Sequence, residues 1–467
     1  MKNKQILTEG SIVKALASIA VPMFIMMFTA ICFSWLDAWY IAKLGDAELT
    51  AIDISFPLIT FSSSVIYGGL GTGVSAAIAA YSSSDKHAHT ATGLRLGMWL
   101  AFFISVLITL VVIFAGRPIL AQQLIDHPEI IELSYTYCFW YFLPFPIMGV
   151  GAVIASAMRG TGNAVRPMVY SLISMVLNAV LTPLFCYESS GAWYSSLFLD
   201  MGIKGAALST VAAYSLMTLL LVLDFFHERQ GLKKCTSKIQ NDEKQEIFKR
   251  IISTSCIAAL VPACTNFTIG ISQAILANLS PATLDAYSLS KRYEQFLIML
   301  AIPVCAANMI IISANLGRDN YSRIKESFIL SFKVLLTINL VLGLFMFFKS
   351  ELWFQSFTQN NEIFTEGSEY FKYAILHVIF IPLCIMINFA FQGLSTPARP
   401  LPFTLGSVFI FQGAACYFLV QHFQNSKEFY LTLGIGTFLA FSFCFLLFFK
   451  DLKSMHIKKA GALKPQP

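Results

Sequence analysis

Twelve stretches of this chain stay apolar for about twenty residues or more, long enough to cross a hydrocarbon core roughly 30 Å thick at about 1.5 Å per residue. They fall near residues 15–42, 52–80, 93–115, 131–157, 165–187 and 203–226, then 251–279, 284–313, 326–348, 370–392, 400–422 and 429–449. Spans of that kind must satisfy their backbone polar groups internally, so the chain reads as an all-α polytopic membrane protein of about twelve transmembrane helices. Composition agrees: 56% of residues are hydrophobic and 12% charged, about half the charged fraction of a soluble domain. The polar start MKNKQILTEGS runs directly into a full-length span, so the first span is expected to be an uncleaved anchor.

That first span carries a carboxylate. Asp37 sits in the run VPMFIMMFTAICFSWLDAWYIAKL from Val21 to Leu44, about 9 Å below its end near Lys43. A charged Asp near a helix centre costs roughly 2.5 to 3.5 kcal/mol on insertion scales, so its side chain must face water or a partner, or be protonated. Pro22, about four turns earlier, removes a backbone hydrogen bond and is read as a hinge.

The net charge of +6 does not call for a nucleic acid, because the basic residues collect in alternate connections. Lys86, Arg95, Arg159, Arg166, Arg318, Arg323, Arg399 and the two ends of the chain lie on one side, which places both termini in the cytoplasm. The opposite connections carry Asp46, Glu48, Glu129, Glu362 and Glu369. Ten scattered cysteines without a C-x-x-C imply neither a disulfide frame nor a metal site. No H-E-x-x-H, Ser/His/Asp set or ATP-binding loop is apparent, so neither an enzyme nor direct ATP drive is indicated, and no cofactor is expected.

The chain divides near its middle. Residues 1–230 read as a first six-helix lobe, 231–250 as a cytoplasmic linker, 251–450 as a second six-helix lobe and 451–467 as a basic cytoplasmic tail. LGDAELTAIDIS from Leu44 echoes LSPATLDAYSLS from Leu279, and RGTGNAVRP from Arg159 echoes QGLSTPARP from Gln392. Six spans per half start each half on the same side, so the repeats are parallel, the arrangement that secondary transporters use for alternating access. A single chain with two lobes needs no second copy to form a pathway, so a monomer is expected.

The ordered set of features resembles the multidrug and toxic compound extrusion (MATE) family: a Pro before an intramembrane Asp, LGDAELTA, MRGTGNAVRP and GIKGAALST from Gly202 to Thr210. The resemblance covers both halves. It implies two pseudo-symmetric six-helix lobes, and a bacterial inner-membrane antiporter that exports cationic amphipathic molecules in exchange for protons or sodium ions. It also implies an ion-coupling group in which Asp37 is joined by Asn178 and Thr182 of the fifth span and Thr210 of the sixth. Asn178 and Thr182 are spaced i, i+4 and share a helical face. Many relatives carry a second Asp where Thr182 stands; a hydroxyl cannot take up a proton and a hard cation loses a ligand, so proton coupling is the favoured expectation. In a wet cavity Asp37 ionises, whereas closure favours its neutral form.

A second polar cluster, YSLSKRYEQF from Tyr287, lies in the eighth span, where Lys291 and Glu294 can pair at i, i+3 and Arg292 with Glu294 matches an R-x-E pattern of one family branch. His377 reads as a satisfied interior residue. Trp35, Tyr40 and Phe56, near Asp37 in sequence, are candidates for a cavity that holds flat organic cations through ring faces. The alternative function is a lipid-linked oligosaccharide flippase of the same superfamily, which would call for a more cationic interior than Lys291 and Arg292 offset by Glu294.

Overall fold

The computed structural model describes residues 6–84, 86–121, 128–187, 199–228, 239–358 and 360–462. Among these the chain is all-α. The first half supplies α1 (Ile12–Ile41), α2 (Asp46–Ser83), α3 (His87–Ala121), α4 (Pro128–Phe142), α5 (Phe145–Gly160), α6 (Val165–Cys186) and α7 (Gly202–Glu228). The second supplies α8 (Asn241–Leu276), α9 (Pro281–Leu316), α10 (Tyr321–Gln355), α11 (Asn361–Tyr373), α12 (Ile375–Gly393), α13 (Leu401–Phe423) and α14 (Lys427–Ala462). Eleven of the described helices are long and apolar enough to span a membrane, and the pair α4 and α5, bent by 53°, brings the count to twelve.

Local chemistry sets the breaks. The 131–157 stretch is not one straight span: Pro144 cannot continue a hydrogen-bonded turn and caps α5 instead, which bends the path there. Ser280 caps α9, its hydroxyl accepting from the Thr283 amide at 3.0 Å, with Pro281 at the first helical position where a missing N–H costs nothing. In α2 the segment Ser64–Leu70 is wound as a π-helix, and the following glycines are packing sites: a Cβ on Gly71 would meet the Ser156 Oγ at 2.6 Å, and one on Gly73 the Ile251 carbonyl at 2.6 Å.

Helices run past two of the expected boundaries. Residues 241–250, read as linker, form the first turns of α8, because Ile247 and Ile251 bury themselves against Val74 and Leu94; residues 229–238 lie outside the described residues. The tail read from 451 is still helical through Ala462 as the end of α14. Apolar-window reading stops where charge begins, whereas the helices run on into polar turns.

The described helices form two compact units. One holds Val21–Cys256; the other holds the residues up to Ala20 together with those from Ile257 on. The first unit packs around Ile41, Ala51, Val112, Tyr137, Phe142 and Phe145, the second around Tyr287, Phe354, Tyr370 and Tyr430 and, separately, Phe328, Phe391 and Phe448.

The sequence echo is a structural repeat. After α5, the Asn163 amide donates to the Met158 carbonyl (2.9 Å) and Gly162 adopts φ +86°; after α12, the Thr396 amide donates to the Phe391 carbonyl (3.0 Å) and Ser395 adopts φ +61°. Both are helix-ending turns of the six-to-one type with one left-handed residue. Gly160 and Gly393 each press on a neighbouring backbone, with a Cβ landing 2.6 Å from the Ser75 carbonyl and 2.9 Å from the Met309 carbonyl. Arg166 then pairs with Asp224 of α7 at 2.7 Å, and Arg399 with Asp451 of α14 at 3.3 Å.

Candidate functional site

The first unit gathers one carboxylate among neutral donors. Asp37 of α1 is 8% exposed, and Asn178, Thr182 and Thr210 are at most 3% exposed. The Thr210 hydroxyl donates to Asp37 Oδ2 at 3.0 Å and the Thr182 hydroxyl to Oδ1 at 3.4 Å, while Asn178 Nδ2 donates to Thr210 Oγ1 at 3.4 Å. The structure thus brings together all four residues of the expected group. Thr182 and Asn178 reach it from one face of α6, as their i, i+4 spacing requires.

Ser209 belongs to the group and was not anticipated: its hydroxyl lies 2.9 Å from Thr182 Oγ1. Phe33, one turn before Asp37, stacks on Tyr214 with ring centres 5.1 Å apart. No Lys, Arg or His among the described residues pairs with Asp37.

The hydroxyl protons can be routed in two ways. With Asp37 ionised, Ser209 donates to Thr182, and Thr182 and Thr210 donate to the carboxylate. Thr210 Oγ1 also lies 3.0 Å from the Ala206 carbonyl, as does Ser209 Oγ at 2.9 Å. When Asp37 takes a proton it becomes a donor, and those hydroxyls can turn to the carbonyl without leaving a group unpaired. The site therefore accommodates either charge state at fixed backbone. Asn178 Oδ1 is a buried acceptor with no partner among the described residues.

The suggested cavity residues separate. Tyr40 packs inward, donating to the Ala179 carbonyl at 3.1 Å, whereas Trp35 is 74% exposed and Phe56 54% exposed. Two residues along a helix is about 200° of rotation, so Trp35 faces away from Asp37 although it is near it in sequence. Pro22 lies inside α1, which continues as one helix through it, one residue after the boundary between the two units.

The second unit buries a different cluster. Lys291 Nζ pairs with Glu294 Oε2 at 2.7 Å, and Tyr370 of α11 donates its hydroxyl to Glu294 Oε1. His377 of α12 joins them, its Nε2 at 3.2 Å from Lys291 Nζ and 3.4 Å from Glu294 Oε2 and its Nδ1 at 2.6 Å from Thr437 Oγ1 of α14. Arg292 is exposed and makes no ion pair among the described residues, so the R-x-E pattern does not form a contact here. No group of three or more His, Cys, Asp or Glu able to hold a metal ion occurs among the described residues.

The chain as a whole has known relatives. The chain is 24% identical over 405 residues to a FAD transporter of Shewanella oneidensis, covering 86% of each protein, and 22% identical over 323 residues to the multidrug export protein MepA of Staphylococcus saprophyticus, covering 68% of each. Its fold matches a crystal structure of MATE in the bent conformation with a TM-score of 0.85 at 20% identity, over 98% of this chain and 99% of that one. The family model MatE matches residues 22–184 and 258–418, the two halves in turn. These matches rest on both repeats at once, and the chain belongs to the MatE family of membrane transporters.

Proposed function

We propose that this transporter exports cationic amphipathic compounds across a bacterial inner membrane in exchange for protons, with Asp37 as the proton-carrying group. One observation carries the reading: Asp37 is buried at membrane depth among hydroxyl and amide donors that suit both its charged and its neutral form, with no cationic side chain among the described residues to hold it permanently ionised. A group that must alternate between charge states needs that neutrality. Thr182 in place of a second carboxylate leaves one titrating oxygen pair, which favours a proton over a sodium ion. The multidrug export relative supports the cargo class. The charge pattern of the connections supports cytoplasmic termini. Transport uses no further cofactor, and one chain suffices.

The test is ethidium efflux from proteoliposomes under an imposed proton gradient and, separately, an imposed sodium gradient. Proton-driven efflux supports the reading; efflux driven only by sodium overturns the coupling ion.

A second reading, carriage of a phosphate-bearing cargo such as FAD, has an observation of its own. Arg159, at the end of α5, donates from Nη2 to Ser156 Oγ at 2.7 Å and has no carboxylate partner among the described residues, which leaves its charge for an anion to neutralise. The FAD transporter relative points the same way. FAD uptake into inside-out vesicles, lost in Arg159→Gln and retained for ethidium, separates the two.

A further inference from the structure

The cluster in the second unit has one carboxylate and two bases, and its geometry makes the bases rivals. Glu294 Oε2 is 2.7 Å from the Lys291 ammonium and 3.4 Å from His377 Nε2, and those two nitrogens are 3.2 Å apart. The contacts on the far side of the ring bear on its tautomer. The Thr437 hydroxyl has one proton, and Leu433 O, 2.9 Å away and i−4 on the same helix, can only accept. With that proton given to Leu433, Thr437 accepts from His377 Nδ1–H at 2.6 Å. In that tautomer His377 Nε2 carries a lone pair that faces the Lys291 ammonium, a donor. With that tautomer the cluster holds Glu⁻, Lys⁺ and neutral His, with zero net charge, which suits a buried membrane position.

We propose that this cluster is a second proton-binding site, in which a proton taken up at His377 Nε2 displaces the Lys291 ammonium from Glu294. The proton comes from water and forms an N–H bond at Nε2; no other covalent bond changes, and Lys291 keeps its own protons. The imidazolium then donates to Glu294 Oε2, while two cations 3.2 Å apart repel. Lys291 is the one that leaves. Its side chain is 11% exposed against 5% for each of the others, and it hangs on a flexible four-carbon stem. Glu294 is held in place throughout by the Tyr370 hydroxyl on its other oxygen.

The groups around the imidazole are accounted for helix by helix. From α9 the charged ones are Lys291 and Glu294, with the Tyr287 ring 5.2 Å from the ammonium; α11 gives the Tyr370 phenol, with its ring 5.6 Å from the ammonium; α14 gives Thr437 and, against the two tyrosine rings, Tyr430. α10 meets α12 where Gly343 packs against Ile379. The use that the transporter makes of this proton rests on the proton-coupled reading above, but its binding does not.

The experiment is a pH series of nitrogen NMR spectra on the full chain in nanodiscs with 15N-labelled histidine, His377 being assigned by the signal lost in His377→Gln. The expected result is the Nδ1–H tautomer at pH 8 and an imidazolium on acidification. At one fixed pH, Lys291→Met raises the ratio of protonated to neutral His377 at least tenfold and Glu294→Gln lowers it by a similar factor. Lys291→Gln serves as a second variant if Lys291→Met does not fold. A signal unchanged between pH 5 and 8, an Nε2–H tautomer at pH 8, or a ratio that moves the same way in both variants overturns the proposal. None of these outcomes depends on ethidium efflux or on Asp37, so failure here and failure of the Asp37 reading are told apart.

Discussion

Arg323 holds the amino-terminal segment to the second unit, and removing it is the sharpest structural perturbation available. Its guanidinium, on a residue 8% exposed, donates to four backbone carbonyls: Nε to Leu7 at 3.1 Å, Nη1 to Gly10 at 2.6 Å, and Nη2 to Ile6 and Glu9 at 3.0 Å each. Asn315 Nδ2 adds a bond to Leu7 O at 3.0 Å, and Arg318 pairs with Glu9 at 3.3 Å. In Arg323→Met the apolar stem remains and the donors go. The Leu7 carbonyl keeps Asn315, so three bonds are counted, those to Ile6, Glu9 and Gly10, all exposed residues whose carbonyls water can reach once the guanidinium is gone. At about 1 kcal/mol net for each such exchange with water, the loss is about 3 kcal/mol. The segment can detach without global unfolding, so this energy appears as local opening. Hydrogen exchange by mass spectrometry should find amides of residues 6–20 exchanging roughly 100-fold faster at 1.4 kcal/mol per tenfold, with α9 and α10 little changed. Arg323→Lys, one nitrogen where a fork stood, should fall between. Protection unchanged in Arg323→Met would refute the reasoning, since it would mean the four bonds hold nothing in place.

Further outcomes follow from the same geometry. Gly10 has φ +74° with nothing near its Cβ, so Gly10→Ala should destabilise the amino-terminal turn by about 1 kcal/mol through backbone strain alone, read as faster exchange in the same peptide. Gly160→Val should lower the melting temperature more than Gly68→Val, because a Cβ at Gly160 meets the Ser75 carbonyl at 2.6 Å and one at Gly68 meets nothing within 4 Å. Thr182→Asp sets a second carboxylate beside Asp37, whose Oδ1 lies 3.4 Å from the present hydroxyl; efflux should then gain a dependence on sodium, measured at fixed proton gradient.

Some of the site was legible because it broke a pattern. A carboxylate in an apolar run must be explained, so Asp37 could be named from residues; Asn178, Thr182 and Thr210 followed from the family resemblance, with which the i, i+4 spacing of the first two agrees. Ser209 could not be named. Hydroxyls inside spans commonly return to the carbonyl four residues back, as Thr29 does to Ile25 and Ser134 to Ile130, so one more serine carries no signal. Trp35 misled for the opposite reason, nearness in sequence without a shared helical face. His377 read as a satisfied interior residue, but its partners could not be named, because they come from helices about 60 to 86 residues away and nothing local marks that meeting. The Arg323 clamp is invisible in principle, since backbone carbonyls have no residue identity. Helix ends ran past the apolar windows wherever a polar turn had an inward residue, Ile247 being one. The repeat, by contrast, was legible as Gly160 and Gly393 followed by Arg–Pro, because a left-handed turn and a close backbone approach restrict what a residue can be.

The central claim is that Asp37 exchanges a proton for cargo. It is tested most directly by proton-driven ethidium efflux from proteoliposomes with Asp37→Asn beside the parent, the amide keeping size while losing the titration and one acceptor, whose Thr210 partner can turn to the Ala206 carbonyl. The account predicts efflux in the parent and its loss in the variant, with the variant still folded and still binding ethidium. Equal efflux in the two would contradict it and return Asp37 to a structural role.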